Sequence, residues 1–254
     1  MATKKKMATN GYSDIPRTLK GENFYGLKLD DEQKEFAEAI WNPNIDIVWC
    51  NAKAGCGKSV VALGVANMLV KYGLFDNIVW LINPTQEQAI GYRPGTTEEK
   101  ILPYMGPLYD AAASLGINPY TDIDICTDDW GQKKTGYIEC MTPIFLRGRN
   151  IPCSPDQKTI LICDECQNMY IDQIQTVLTR VNVGAKVIMI GHTGQCDLYH
   201  NPERSGFAPF IELFRGKERS AICKLTTNHR SWISQHADTI DEFLHTKPNQ
   251  QERQ

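Results

Sequence analysis

An α/β fold, with a mostly parallel sheet flanked by helices in one domain, is what this sequence predicts. Three observations predict it. Apolar runs of strand length alternate with amphipathic stretches of helix length. An apolar run beginning at Ile45 passes through a small glycine-bearing turn straight into a helical stretch, Val60 to Tyr72. A second apolar run ends in adjacent acids, Asp164 and Glu165. Strands alternating with helices wind a parallel sheet with helices on its faces.

The composition allows this. A chain of 254 residues can bury a real core, and 42% hydrophobic with 22% charged residues is the balance of an ordinary globule. No apolar run approaches the length of a membrane span, and no signal-peptide pattern opens the chain. The net charge of −3 excludes a global basic field, so any nucleic-acid surface must be a local patch. The nine cysteines are scattered, several within apparent strands, which fits reduced thiols in a cytoplasmic protein better than a disulfide framework. Cys163 and Cys166 have C-x-x-C spacing, but no second such pair completes a zinc site.

In order along the chain, 1–26 reads as a flexible polar leader, 27–245 as the folded domain and 246–254 as a disordered polar tail. Asp30 to Trp41 reads as a helix with an acidic cap and Phe36, Ala37, Ile40 and Trp41 on one face. The first strand, the turn and the second helix follow. A strand from Asn77 to Ile82 ends at Asn83-Pro84, and Glu98 to Leu115 reads as a helix broken at Pro103 and Pro107. Short strands are expected around Ile123 to Cys126 and Tyr137 to Met141. Lys158 to Cys163 is a buried strand, Ile171 to Val181 a helix and Ala185 to Ile190 a second buried strand. Ala208 to Phe214 reads as helix, Ile222 to Leu225 as extended and Ser231 to Leu244 as helix.

The turn after the first strand carries the chemistry. Gly57-Lys58-Ser59 between a strand and a helix is a phosphate-binding P-loop. Backbone N–H groups of such a loop converge on phosphate at a helix N-terminus, lysine reaches the β- and γ-phosphates, and the serine hydroxyl ligates Mg²⁺. The nucleotide-contacting set is therefore Ala52, Lys53, Ala54, Gly55, Cys56, Gly57, Lys58, Ser59 and Val60. An accidental Gly-Lys-Ser in a surface turn would lack the flanking strand and helix. Ala52 stands where the common pattern has glycine. A positive φ there would cost alanine about 1 kcal/mol, so the loop is expected to hold it at negative φ.

Asp164 and Glu165 emerge at the C-terminal end of their strand, where open α/β sheets place ligands. Asp164 is the second Mg²⁺ ligand, and Glu165 orients and deprotonates the attacking water. Gln195, in the polar turn after the strand at 185–190, is a candidate γ-phosphate sensor. Arg230, at the end of the strand at 222–225, is a candidate finger for transition-state charge.

Together these residues resemble the PhoH-like family of P-loop ATPases, related to superfamily 1 helicases. The resemblance runs over 27–240 and includes Leu27 to Gln33, Ala52 to Ser59, Tyr92 to Tyr104, Pro107 to Asp110, Phe145 to Arg149, Cys163 to Asn168, Leu178 to Arg180 and Gly191 to Leu198. It implies a RecA-like domain, makes Gln33 the adenine-reading glutamine of a Q motif, and matches A-x-x-G-x-G-K-[ST], the superfamily 1 form of the loop. Two departures stand out. The family's usual Gly-Asp after the sensor strand is Gly191-His192, and its D-E-A-Q-N carries Cys166 for alanine. The compact chain with polar ends is similar to phage-encoded members.

The resemblance also implies an oligomer, a hexameric ring. Superfamily 1 helicases complete their site with arginines from a second RecA-like domain, and here a neighbouring subunit would supply the charge. Arg230 ranks first for its similarity to their N-Y-R-S motif, ahead of Arg147, Arg149 and Arg180. The leading expectation is a Mg²⁺-dependent ATPase acting on single-stranded RNA or DNA, with Arg93, Lys133, Lys134, Arg147 and Arg149 as loop cations and Tyr92, Trp130 and Tyr137 as stacking platforms. A nucleotide-dependent binding switch with little or no turnover is the alternative. A small-molecule kinase ranks last, since adjacent acids favour activation of water.

Overall fold

The computed structural model describes residues 15–83, 101–125, 136–146, 148–196, 198 and 202–240. Seven strands are all paired in parallel: β1 Ile47–Ala52, β2 Asn77–Leu81, β3 Ile123–Ile125, β4 Ile138–Met141, β5 Thr159–Cys163, β6 Ala185–Gly191 and β7 Ser220–Leu225, in the order β3-β4-β2-β5-β6-β1-β7. The helices are α1 Asp31–Trp41, α2 Lys58–Lys71, α3 Gly106–Ser114, α4 Pro119–Asp122, α5 Ile171–Leu178, α6 Phe207–Phe214 and α7 Trp232–Ala237.

The period of two along each strand builds a three-layer structure. Val48, Cys50, Ile78, Trp80, Ile160, Ile162, Ile188 and Ile190 point into a core closed by α1, α2 and α3. Their neighbours Ile47, Trp49, Val79, Leu81, Leu161, Val187 and Met189 form a second core with residues of α5 and α6. Buried on both faces, β1, β2, β5 and β6 read as nearly continuous apolar runs, as central parallel strands must.

Topology then gathers the site. After β1 the chain crosses to β2, and β6 and β5 later fill the gap, so the carboxyl ends of β1, β6 and β5 lie side by side. Open α/β sheets bind ligands there.

Of the 1–26 leader, residues 1–14 lie outside the described residues and 15–26 are not flexible chain. Residues 15–26 pack onto the domain: the Trp41 indole N–H donates to the Pro16 carbonyl at 2.9 Å, and Phe24 is buried against α2. Apolar and aromatic side chains in this stretch have a surface to cover, so it is held in place. The tail 246–254 lies outside the described residues. Of the broken helix expected over 98–115, residues 98–100 lie outside the described residues, and the part from 102 forms a 3₁₀ turn, Leu102–Tyr104, and α3, with Pro103 and Pro107 in the first turn of each, where no N–H is required. Among the described residues no helix is long and apolar enough to cross a membrane.

Candidate nucleotide-binding site

Ala52 is the last residue of β1 rather than part of the loop. It is buried, pairs with Leu225 of β7, and is absent from the positive-φ residues. The loop makes its turns at Gly55 and Gly57, both at φ 75°. Gly57 is the N-cap of α2 and offers no side chain to the helix. The first N–H groups of a helix lack intrahelical partners, so this end is built to meet an anion.

Two pairs join the loop to β5. The Ser59 hydroxyl donates to Asp164 Oδ2 at 3.1 Å, and Lys58 Nζ lies 3.5 Å from Glu165 Oε1. Burial first, and then the Glu165 charge, push the Asp164 carboxyl up to about 6, against the pull of Lys58 and its own hydrogen bonds. Burial alone would lower the Lys58 ammonium, but the Glu165 and Asp164 carboxylates outweigh it and hold its pKa above the ordinary value. A buried carboxylate and a hydroxyl in contact are a hard oxygen donor set that suits Mg²⁺, and a cation there would relieve the strain on Asp164. Glu165 is held at φ 53°, a conformation uncommon for a side-chain-bearing residue and concentrated at functional sites.

Two struts grip the loop from the side. Gln33 belongs to the capping box of α1 with Asp30, and its amide N–H donates to the Cys56 carbonyl at 2.9 Å. Its amide oxygen accepts the Asp30 N–H, so Gln33 supports the loop directly and retains one N–H beyond these bonds. From the other side, the His229 N–H donates to the Gly55 carbonyl at 2.9 Å. Thr226 bonds Glu32 through both its N–H and its hydroxyl, and His229 Nε2 lies 2.7 Å from Asp30 Oδ2.

Arg230 lies on the loop of its own chain: its Cγ and Cδ stand 3.0 Å from where a Cβ on Gly55 would be. Gln195 is exposed in the turn after β6, its N–H donating to the His192 carbonyl at 3.1 Å. Of the other arginines, Arg149 pairs with Glu139 at 3.3 Å. Arg180 follows α5, which runs back toward the start of β6, at the end of the sheet away from the loop. Arg147, with Tyr92, Arg93, Trp130, Lys133 and Lys134, lies outside the described residues. Tyr137, expected as a stacking platform, is half-buried, and its phenol donates to Asn67 Oδ1 at 2.9 Å in a network on α2.

A family description, PhoH-like protein, matches residues 28–239. The chain belongs to this family. It is 32% identical over 220 residues to protein PhoH2 of Bacillus subtilis, covering 84% of this chain and 47% of that protein. It is 30% identical over 195 residues to a PhoH-like protein of Synechocystis, covering 76% and 54%. The chain thus spans about half the length of the curated relatives it matches. Among solved structures, the large terminase of a thermophilic bacteriophage superposes with a TM-score of 0.50 in complex with ADP, at 14% identity over 84% of this chain and 50% of that one. A second crystal form of it gives 0.51 at 13% identity, with the same coverage. That likeness shows the fold alone: a parallel α/β domain of the RecA-like type.

Two features of this PhoH-like site were missed by sequence reasoning. Gln167, in the D-E-C-Q-N run, is buried and bonds Glu165 at 2.6 Å; its place in the motif was the available signal. Asn51 of β1 exchanges bonds with Thr193 in the turn after β6, at 2.9 and 3.1 Å, a contact that only the sheet order reveals. At the family's departures, Cys166 fills a buried small-residue position and donates to the Cys163 carbonyl, while His192 presents a buried Nδ1 with no partner among the described residues.

Proposed function

We propose that this chain hydrolyses ATP as the catalytic domain of an oligomeric, nucleic-acid-dependent, helicase-like ATPase. One observation carries the reading: Ser59 meets Asp164, and Lys58 meets Glu165, at the uncapped N-terminus of α2. This brings an oxygen ligand pair, a phosphate-seeking cation and a carboxylate base to one point.

The P-loop N–H groups and Lys58 hold the β- and γ-phosphates. Ser59 and Asp164 would hold Mg²⁺, which would supply charge neutralisation at the phosphates. Glu165 orients a water and accepts its proton, and Gln195 senses the γ-phosphate from the turn after β6. Arg230 stabilises developing charge; its position on its own P-loop supports action within one subunit. One N–H of Gln33 remains for the adenine edge.

Nucleic-acid dependence and a hexameric ring rest on the family resemblance. A nucleotide-dependent binding switch is the second reading, favoured by His192 in place of the family's acid and by the two contacts that already occupy Glu165. ATP turnover with Mg²⁺, measured with and without single-stranded RNA and DNA, decides between them, with Lys58→Ala and Glu165→Gln as controls. Turnover that rises with one nucleic acid and is lost in both variants is expected. ATP binding without turnover would establish the switch.

A further inference from the structure

Gln167 is buried between the base and the turn expected to sense phosphate. Its side-chain N–H donates to Glu165 Oε2 at 2.6 Å, while its side-chain oxygen accepts the His192 backbone N–H at 3.0 Å. Its main-chain carbonyl accepts the Cys196 thiol at 3.3 Å. One amide therefore bridges the carboxylate after β5 and the turn after β6.

The bridge needs glycine at 191. A Cβ there would stand 2.7 Å from the Gln167 side-chain oxygen, 3.0 Å from its main-chain nitrogen and 3.0 Å from the Phe207 ring. Backbone and ring atoms cannot step aside as a flexible side chain would, so any larger residue dislodges the amide.

Glu165 has two holders, and they differ in kind. Lys58 belongs to the phosphates once a nucleotide is seated, and a lysine turned toward phosphate cannot keep Glu165 in place. Gln167 is tied to the sheet through His192 and has no phosphate to turn to. Its amide is also neutral, so it holds the carboxylate by a hydrogen bond and adds no charge to the site.

We propose that Gln167 is the positioning residue of the hydrolytic step: it aims Glu165 at the attacking water and couples that aim to the turn at 192–196. The inference rests on Glu165 acting as the base. It makes Gln167 neither a phosphate ligand nor a metal ligand, and it assigns Gly191 the supporting role of leaving room.

The test is Gln167→Met, which keeps the volume and removes both side-chain bonds. Turnover and equilibrium ATP affinity are measured on this variant, on Glu165→Gln and on the double variant. Losing a hydrogen bond to a charged group should lower kcat by about 10- to 100-fold, with KM and ATP affinity within about twofold. In the Glu165→Gln background the same substitution should change nothing further, because its effect runs through Glu165. Gly191→Ala should lower kcat in the same direction. Should Gln167→Met fail to fold, Gln167→Asn serves instead, being one methylene too short to span both partners.

An unchanged kcat in the Gln167 variant beside an inactive Glu165→Gln would overturn the proposal. So would a loss that adds fully to Glu165→Gln and comes with an equal loss of ATP affinity, which marks a merely structural residue. Wild-type protein without turnover, or a fully active Glu165→Gln, would remove the parent reading and this inference with it. That pattern is visible before any Gln167 variant is made.

Discussion

At the scale of single residues, the phosphate loop places its conformational demand where the residue types can meet it. Gly57 at φ 75° faces the Gln33 amide nitrogen, 2.8 Å from where a Cβ would stand, so Gly57→Ala combines backbone strain with a clash. It should cost about 1–3 kcal/mol and weaken ATP binding, read by urea unfolding and nucleotide titration. Ala52→Gly sits in a paired strand and should cost no more than about 1 kcal/mol, with ATP affinity kept. Equal effects from the two would contradict the assignment of Ala52 to β1. Asp164 carries the opposite conflict, a buried carboxylate whose charge comes at the expense of stability. Its carboxyl, pushed up to about 6 chiefly by burial and then by Glu165, takes up a proton in the folded state at pH values where the unfolded chain has none. Between about pH 6 and pH 4 the native state therefore binds more protons, and this group favours folding more as pH falls. Above pH 6 its charge is a standing penalty. Asp164→Asn, which can keep both hydrogen bonds, should raise stability at pH 7.5 by about 1–3 kcal/mol while abolishing Mg²⁺-dependent turnover. A less stable Asp164→Asn would show that the hydrogen bonds and Lys58 outweigh burial.

At the scale of elements, α2 shows how far local rules reach. Glycine inside a helix is unfavourable by about 1 kcal/mol relative to alanine, yet Gly64 sits mid-way along α2. The packed segment ahead of α1 explains it: a Cβ on Gly64 would meet the Phe24 ring, and the Tyr25 hydroxyl donates to the Gly64 carbonyl at 3.2 Å. Gly64→Ala should therefore destabilise by about 1–3 kcal/mol in spite of helix propensity. Phe24→Leu should recover part of that loss, both read by urea unfolding. A stabilised Gly64→Ala would mean that the notch is idle. This contact also marks where sequence reading stopped. The strands β1, β2, β5 and β6 were legible because burial on both faces writes an unbroken apolar run, and α1 was legible from its acidic cap at Asp30. The Tyr25–Asn67–Tyr137 network was not, since its members are far apart in the chain and polar pairing leaves no period. At the site, Lys58, Ser59, Asp164 and Glu165 announced themselves by motif. The strut from His229 and the Asn51–Thr193 pair did not, because each depends on which strands stand beside β1.

At the scale of the whole molecule, strand order decides which charges can serve the phosphates within one chain. Alternating strands and helices predict a parallel sheet, but no period in the sequence says that β7 pairs with β1 or that β6 stands between β1 and β5. Because β7 lies directly beside β1, the segment after it runs over the loop. Thr226 is fastened to Glu32, His229 to Gly55 and Asp30, and Arg230 is laid along Gly55. The stem of Arg230 lies on its own loop while the residue stays exposed, so a finger acting within its own subunit, as proposed, and one acting in trans make different predictions. Mixing tests this directly. Arg230→Ala and Lys58→Ala subunits, each inactive, should remain inactive in every proportion, because each variant lacks a group that its own site requires. Arg230→Ala alone should lose about 100-fold or more in kcat with ATP still bound, as expected for a charge used in the transition state. Turnover regained on mixing, in protein shown by light scattering to be oligomeric, would place Arg230 in the neighbour's site.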